Sequence, residues 1–200
     1  MSRTVVLASG NPGKLREINQ LLADLGYRVV PQAEFGVPEV GETGATFVEN
    51  AILKARNAAR HTGFPAIADD SGLEVDALGG APGVHSARYA GDGASDTANV
   101  DKLLTELRGV PESGRAARFQ CAMVYLRSPD DSAPVIAQGT WEGRIAAAPH
   151  GSSGFGYDPV FVVAGRGCTS AELAPNEKNR LSHRGQALRM LIEKLRLSQR

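Results

Sequence analysis

An apolar, β-branched run, Val5-Val6-Leu7-Ala8, halts at Ser9-Gly10-Asn11-Pro12-Gly13, and Leu15, Ile18, Leu22 and Leu25 then recur at helical spacing. A chain that opens as strand, tight loop and helix is steered toward an α/β architecture, because the strand needs a helical layer to bury its faces. Gly26 closes the helix, and Tyr27-Arg28-Val29-Val30 supplies a second strand. Thr46-Phe47-Val48-Glu49 has the form of a capping box, which predicts an alanine-rich helix running to His61 and ending at Gly63. Pro65-Ala66-Ile67-Ala68 reads as a buried strand that delivers Asp69-Asp70-Ser71-Gly72 at its C-terminal end, where α/β folds place chemistry. A Gly/Pro-rich loop follows over residues 79–93, then a helix over 97–107. Two longer strands, 118–126 and 134–145, flank the polar turn Ser128-Pro129-Asp130-Asp131 and read as a hairpin. A last helix, about 183–195, carries Ala187, Leu188, Leu191, Ile192 and Leu195. Strand–helix units combined with a long hairpin predict a mixed β-sheet flanked by helices.

With 200 residues, 42% of them hydrophobic, the chain can bury a proper core as a single domain spanning 1–200. Lys plus Arg and Asp plus Glu number 22 each, so no basic excess favours long nucleic acid, while a local pocket for a small phosphorylated ligand stays open. Cys121 lies in an apolar stretch and reads as a small buried hydrophobe. The sequence shows neither a signal-peptide pattern nor a run of membrane length, so a reducing cytoplasm is the expected location, with no membrane partner.

Five segments carry residues suited to chemistry. Ser9-Gly10-Asn11-Pro12-Gly13-Lys14 sets glycines, an amide and a lysine between a strand end and a helix start, where free N–H groups and the helix dipole favour phosphate. It lacks the spacing of a Walker A loop, and an ordinary βα turn is the alternative. Asp69 and Asp70 point to opposite sides if extended geometry continues, so one of them faces a shared site. A carboxylate there can hold Mg²⁺ or take a proton from an attacking water, and an Asx turn at a strand end is the competing account. Glu42 adds a carboxylate just ahead of the capping box, Glu49 is explained by capping, and Lys54 is by default a solvated lysine, with a phosphate role as the minority reading. Phe155-Gly156-Tyr157-Asp158 combines rings, glycine and a carboxylate; Phe155 either stacks on a base or folds in to seal the hairpin. Lys178, His183 and Arg184 add donors ahead of the last helix, with Ser182 as its N-cap.

Taken together, Ser9-Gly10-Asn11, Gly13-Lys14, Phe47 with Glu49-Asn50-Ala51, Ala68-Asp69-Asp70-Ser71-Gly72, Gly80-Ala81-Pro82-Gly83 with Ser86-Ala87-Arg88-Tyr89, Phe155-Gly156-Tyr157-Asp158-Pro159 and Ser182-His183-Arg184-Gly185 resemble, in order, the noncanonical purine NTP pyrophosphatases. These are also called inosine triphosphate pyrophosphatases or XTP/dITP diphosphatases. The resemblance implies an elongated two-lobed α/β fold with the active site in the cleft between lobes, a homodimer, and Mg²⁺-dependent hydrolysis of ITP, dITP or XTP to monophosphate and pyrophosphate. It implies Asp70 as proton acceptor and metal ligand, Glu42 as second metal carboxylate, and Ser9, Gly10, Asn11, Pro12, Gly13, Lys14 and Ser71 around the triphosphate. Phe155, Gly156, Tyr157, Asp158, Lys178, His183 and Arg184 would line the nucleoside and base pocket. A 6-oxopurine offers an N1–H donor and an O6 acceptor and adenine reverses both, so Asp158 facing N1–H and Arg184 or Lys178 facing O6 would reject ATP. Two rival activities share the phosphate half of such a site: a pyrophosphatase for other modified nucleotides, and a silent nucleotide binder.

Overall fold

In the computed structural model, the described residues are 3–9, 15, 18, 19, 22 and 25–198. Six strands form one sheet in the order β2-β1-β3-β4-β5-β6: β1 (Arg3–Leu7), β2 (Tyr27–Pro31), β3 (Ala66–Val75), β4 (Ala116–Leu126), β5 (Val135–Ile145) and β6 (Phe161–Val163). β1 runs parallel to both β2 and β3, whereas β5 and β6 are antiparallel, so the sheet is mixed as the sequence predicts. The labelled helices are α1 (Phe47–Thr62), α2 (Asp96–Glu106), α3 (Pro175–Leu181) and α4 (His183–Leu197). Leu15, Ile18, Asn19 and Leu22 are helical as well.

The chain divides into two compact units. Unit 1 is Met1–Asp70, Cys121–Gln138 and Ala187–Arg200; unit 2 is Ser71–Gln120 and Gly139–Gln186. In unit 1 the strands are apolar on both faces, and the two-residue period sorts them between two cores. Val5, Leu7, Ile67, Cys121, Met123 and Tyr125 join Ile18 and Leu22 and the apolar stripe of α4. Their alternates, Val6, Ala8, Ala66, Ala68, Ala122 and Val124, pack on Ala51, Ala55, Ala58 and Ala59 of α1. Small residues on both sides of that contact let α1 lie close to the sheet, which matters for the polar groups it carries beside those alanines.

Unit 2 buries one strand face. Leu73, Val75, Phe119, Trp141, Ile145 and Phe161 pack with Val100 and Leu103 of α2 and with Leu107. The alternate positions are polar: Arg118 pairs with Asp76 and Glu142, and Gln120 bonds Glu74 and Thr140.

The structure corrects the sequence reading of β3. It does not end at Ala68 but continues through Asp69-Asp70-Ser71-Gly72 to Val75. Leu73 and Val75, both fully buried, resume the alternation that the polar residues interrupt, and they anchor the second half of the strand in unit 2's core. Asp70 therefore sits mid-strand. Two short elements were also missed: α3, which starts with Pro175 in its first turn, and the three-residue strand β6. Each is too short for periodicity to register.

Candidate active site

In unit 1 the site is built outward from a helix start. Thr46 caps α1 by accepting from the Glu49 amide (3.1 Å), and Glu49 accepts in return from the amides of Ala45 (2.6 Å) and Thr46 (3.2 Å). That box fixes the first turn and thereby sets Asn50 and Lys54, four residues apart, on one helix face next to the alanine stripe. Ala66 and Ala68 of β3 meet that stripe, and Asp70, the next residue on the same strand face, meets Asn50 and Lys54.

Lys54 Nζ donates to Asp70 Oδ1 at 2.8 Å and to Glu42 Oε1 at 3.0 Å, so one ammonium links the two carboxylates. The Asp70 side chain is 9% exposed and that of Lys54 19%, so the sequence default of a solvated lysine is wrong here. Burial, reinforced by the Glu42 charge, pushes the Asp70 carboxyl above the ordinary aspartate range, against the pull of Lys54 and the Asn50 amide. Burial pulls the Lys54 ammonium down, but Asp70 and Glu42 outweigh it and hold the lysine charged above its usual range.

Asp70 and Glu42 are hard oxygen donors that already gather a cationic group between them. Among the described residues no cluster of three or more His, Cys, Asp or Glu could hold a metal ion alone. Two carboxylates without a full protein cage suit a small divalent cation that takes its remaining ligands from water and substrate phosphates.

In unit 2 each of residues 155–158 is tied down by a hydrogen bond, and only the Phe155 ring is left out. Asp158, 4% exposed, accepts from the Phe155 amide (2.8 Å), from Ser170 Oγ (2.7 Å) and from Lys178 Nζ. The Gly156 amide donates to Asp96 (2.6 Å) at the start of α2, and the buried Tyr157 hydroxyl donates to the Ser86 carbonyl (2.8 Å). Gly154 has φ +85°, and a Cβ there would collide with Asp158 Oδ2, so only glycine fits. Phe155 is 55% exposed, which discards the sealing role, and Lys178 Nζ and Arg184 Cζ lie 5.4 and 5.6 Å from its ring centroid.

Ser9, Ser71, His183 and Arg184 are among the described residues as well. Arg184 donates to Ser71 Oγ at 3.0 Å, so a residue assigned to the base side meets one assigned to the phosphates. His183 is buried and stacks on Phe119 at 4.8 Å, while Ser182 caps α4 through the Gly185 amide (3.1 Å). Ser9 is half-buried; Gly10, Asn11, Pro12, Gly13 and Lys14 lie outside the described residues. Sequence reasoning gave no role to Asn50, which entered only as part of the Phe47 to Ala51 motif, and passed over Ser170 and Asp96. Only Asn50 left a signal, since it and Lys54 run at the same spacing as Ala51 and Ala55.

A cavity of about 390 Å³ elsewhere in unit 2 contains none of the predicted residues. Two of its charged groups are engaged within the protein. Arg115 donates to the carbonyls of Val110, Ala146 and Leu107, and Arg144 pairs with Glu112.

The Ham1 family model matches residues 5–194, nearly the whole chain. The chain belongs to the Ham1 family. Curated relatives include a dITP/XTP pyrophosphatase of Methylococcus capsulatus, 60% identical and covering 98% of both chains. Another dITP/XTP pyrophosphatase, from Thioalkalivibrio sulfidiphilus, is 62% identical over 96% of this chain and 97% of its own. Among solved structures, a HAM1 protein from Coxiella burnetii superposes with a TM-score of 0.94 at 52% identity, covering 98% of this chain and 99% of that one. The α/β fold is thus that of Ham1 structures.

Proposed function

We propose that this chain hydrolyses noncanonical purine nucleoside triphosphates, ITP, dITP and XTP, to the monophosphate and pyrophosphate, and so removes them from the nucleotide pool. The observation that carries this reading is the Asp70–Lys54–Glu42 triangle: two carboxylates, one buried with a raised pKa, gathered about a cation. The relatives, matched over 98% and 96% of the chain, are named dITP/XTP pyrophosphatases, which supports dITP and XTP among these substrates.

In the reaction a water oxygen bonds to the α-phosphorus as the bond to the bridging oxygen of the β-phosphate breaks. Pyrophosphate leaves with that electron pair, and the proton of the water passes to Asp70. A raised pKa suits this role, because a general base works best when its pKa approaches the operating pH. Mg²⁺, held by Asp70 and Glu42, would neutralise charge building on the phosphate oxygens. Lys54 keeps the two carboxylates together, and Ser9 to Lys14 with Ser71 bind the phosphates. In unit 2, Phe155 offers its open ring face to the base and Lys178 and Arg184 direct donors toward O6. Asp158 has three of its roughly four lone-pair sites filled by donors of its own unit, so it acts on the base mainly by aiming Lys178.

Pyrophosphate release by the purified protein, with ITP, XTP and dITP compared against ATP, GTP and dUTP in Mg²⁺ and in EDTA, tests the whole reading. Metal-dependent release confined to the first three is expected. Preference for a pyrimidine would replace the base assignment, and release from none of them would leave a silent binder. The same reading carries a cytoplasmic homodimer; a monomer in light scattering at working concentration would remove that part.

A further inference from the structure

Asn50 is fully buried in the first turns of α1, a place where an asparagine weakens the helix and must be paired to be tolerated. Neither of its polar atoms serves the helix. Its Oδ1 accepts from the Gly44 amide at 2.8 Å, and its Nδ2 donates to Asp70 Oδ2 at 3.2 Å. The orientation of the amide follows from chemistry: the Gly44 N–H can only donate, so the oxygen faces it and the NH₂ is left for Asp70.

We propose that Asn50 is a positioning residue for the reaction, one that sets the Asp70 carboxylate and the Glu42 loop in register through a single side chain. The inference rests on the role assigned to Asp70 under the proposed function. Gly44 lies two residues after Glu42, so the bond to its amide fixes the backbone that carries the second carboxylate. The approach is close. A Cβ on Gly44 would stand 2.7 Å from Glu49 Cβ and 2.8 Å from Asn50 Oδ1, so the loop reaches the asparagine only because residue 44 has no side chain. On the other side, Asp70 receives Lys54 on one oxygen and Asn50 on the other. A carboxylate held on both oxygens cannot rotate about its last bond without losing a partner. Lysine alone would leave that rotation open, since an ammonium on a flexible stem follows its partner.

The test is a double-mutant cycle on ITP hydrolysis with Mg²⁺, using Asn50→Ala, Asp70→Asn and both together, with thermal unfolding as the check on folding. Calorimetric titration of Mn²⁺ into the nucleotide-free protein adds a readout independent of turnover. Loss of a group that orients a metal-site carboxylate typically costs about 10–100-fold. Asn50→Ala is therefore expected to lower kcat by about that factor with KM within about twofold, and to weaken Mn²⁺ binding by about tenfold or more. In the Asp70→Asn background it should lower kcat no further, because the residue it acts through is already disabled. Losses that multiply in the double variant, or a single variant with wild-type kcat and Mn²⁺ binding, would overturn the proposal. Should Asn50→Ala fail to fold, Asn50→Asp keeps the shape and an acceptor for Gly44 but removes the donor to Asp70. The same drop in kcat is expected from it, and wild-type turnover would overturn the proposal equally. Wild-type turnover from Asp70→Asn is a separate outcome, which removes the role of Asp70 and the inference with it.

Discussion

Asp70 and Asp158 are both buried aspartates, each with a lysine ammonium on one oxygen, yet their surroundings treat them differently. Asp158 is surrounded by donors: a backbone amide, a serine hydroxyl and Lys178 all point at it. Among the described residues Asp70 receives only Lys54 and one amide NH₂; it shares that lysine with Glu42 and is left with a pKa pushed upward by burial. The contrast separates a carboxylate used as scaffold from one kept available for work. Scaffold carboxylates are saturated by their own protein, while a reactive one retains capacity for a proton or a cation.

The largest expected effect follows from that division. Asp70→Asn should lower kcat for ITP by about 100- to 10,000-fold, the range for removing a general base, while the protein remains folded. Steady-state kinetics with circular dichroism would decide it, and a variant with wild-type kcat would erase the distinction between the two aspartates.

Asp158→Ala should act on the fold instead. It strips the partner from Lys178, leaves the Phe155 amide unpaired and leaves Ser170 only the backbone carbonyl of residue 158 (3.2 Å), and breaking a largely buried pair costs about 3 kcal/mol. For a protein of this size that corresponds to a Tm lower by roughly 6–12 °C in calorimetry. An unchanged Tm would show that Asp158 is not the scaffold its bonds describe.

Lys178→Met sharpens the comparison at the level of substrate choice. Without the ammonium near Phe155, the site loses a donor for O6 and the mismatch that penalises adenine. The ratio of kcat/KM for ITP over ATP should fall by about 5- to 150-fold, equivalent to roughly 1–3 kcal/mol. A ratio that stays put would shift base reading to Arg184.

How far these residues could be read in advance depended on the distance over which their signals act. The capping box, Gly63 at the end of α1 and the stripe of α4 are local rules, and each appears in the structure where the sequence puts it. β3 was cut short because Asp69-Asp70-Ser71-Gly72 looks like a turn to any local rule, and only pairing with neighbouring strands keeps it extended. Lys54 failed for a related reason. On a helix surface a lysine is solvated by default, and what overrides the default is a carboxylate sixteen residues away on a strand that local rules end before it. The exposure of Phe155 was likewise beyond the sequence, since it depends on Gly154, Asp96 and Asp158 fixing the loop from three directions.

The smallest effect separates the two aspartates most cleanly, because the sign is opposite for each. Asp70 binds its proton more tightly in the folded protein than in the unfolded chain. Below the ordinary aspartate pKa both states are protonated; as pH rises from there through the raised folded pKa the unfolded chain releases its proton first and stability is lost, until above it the native state carries a poorly compensated buried charge. The upward shift already includes the attraction of Lys54, so that ion pair does not reverse the sign. Asparagine stands in for the protonated acid at every pH. The metal-free Asp70→Asn protein should therefore unfold at a higher temperature than the wild type near pH 8, and the gap should close as the pH is lowered toward 4, whereas Asp158→Ala is destabilised at pH 8. Differential scanning calorimetry across that range measures both, and a lower Tm for Asp70→Asn at pH 8 would mean that Asp70, like Asp158, is held in place by its partners rather than held ready among them.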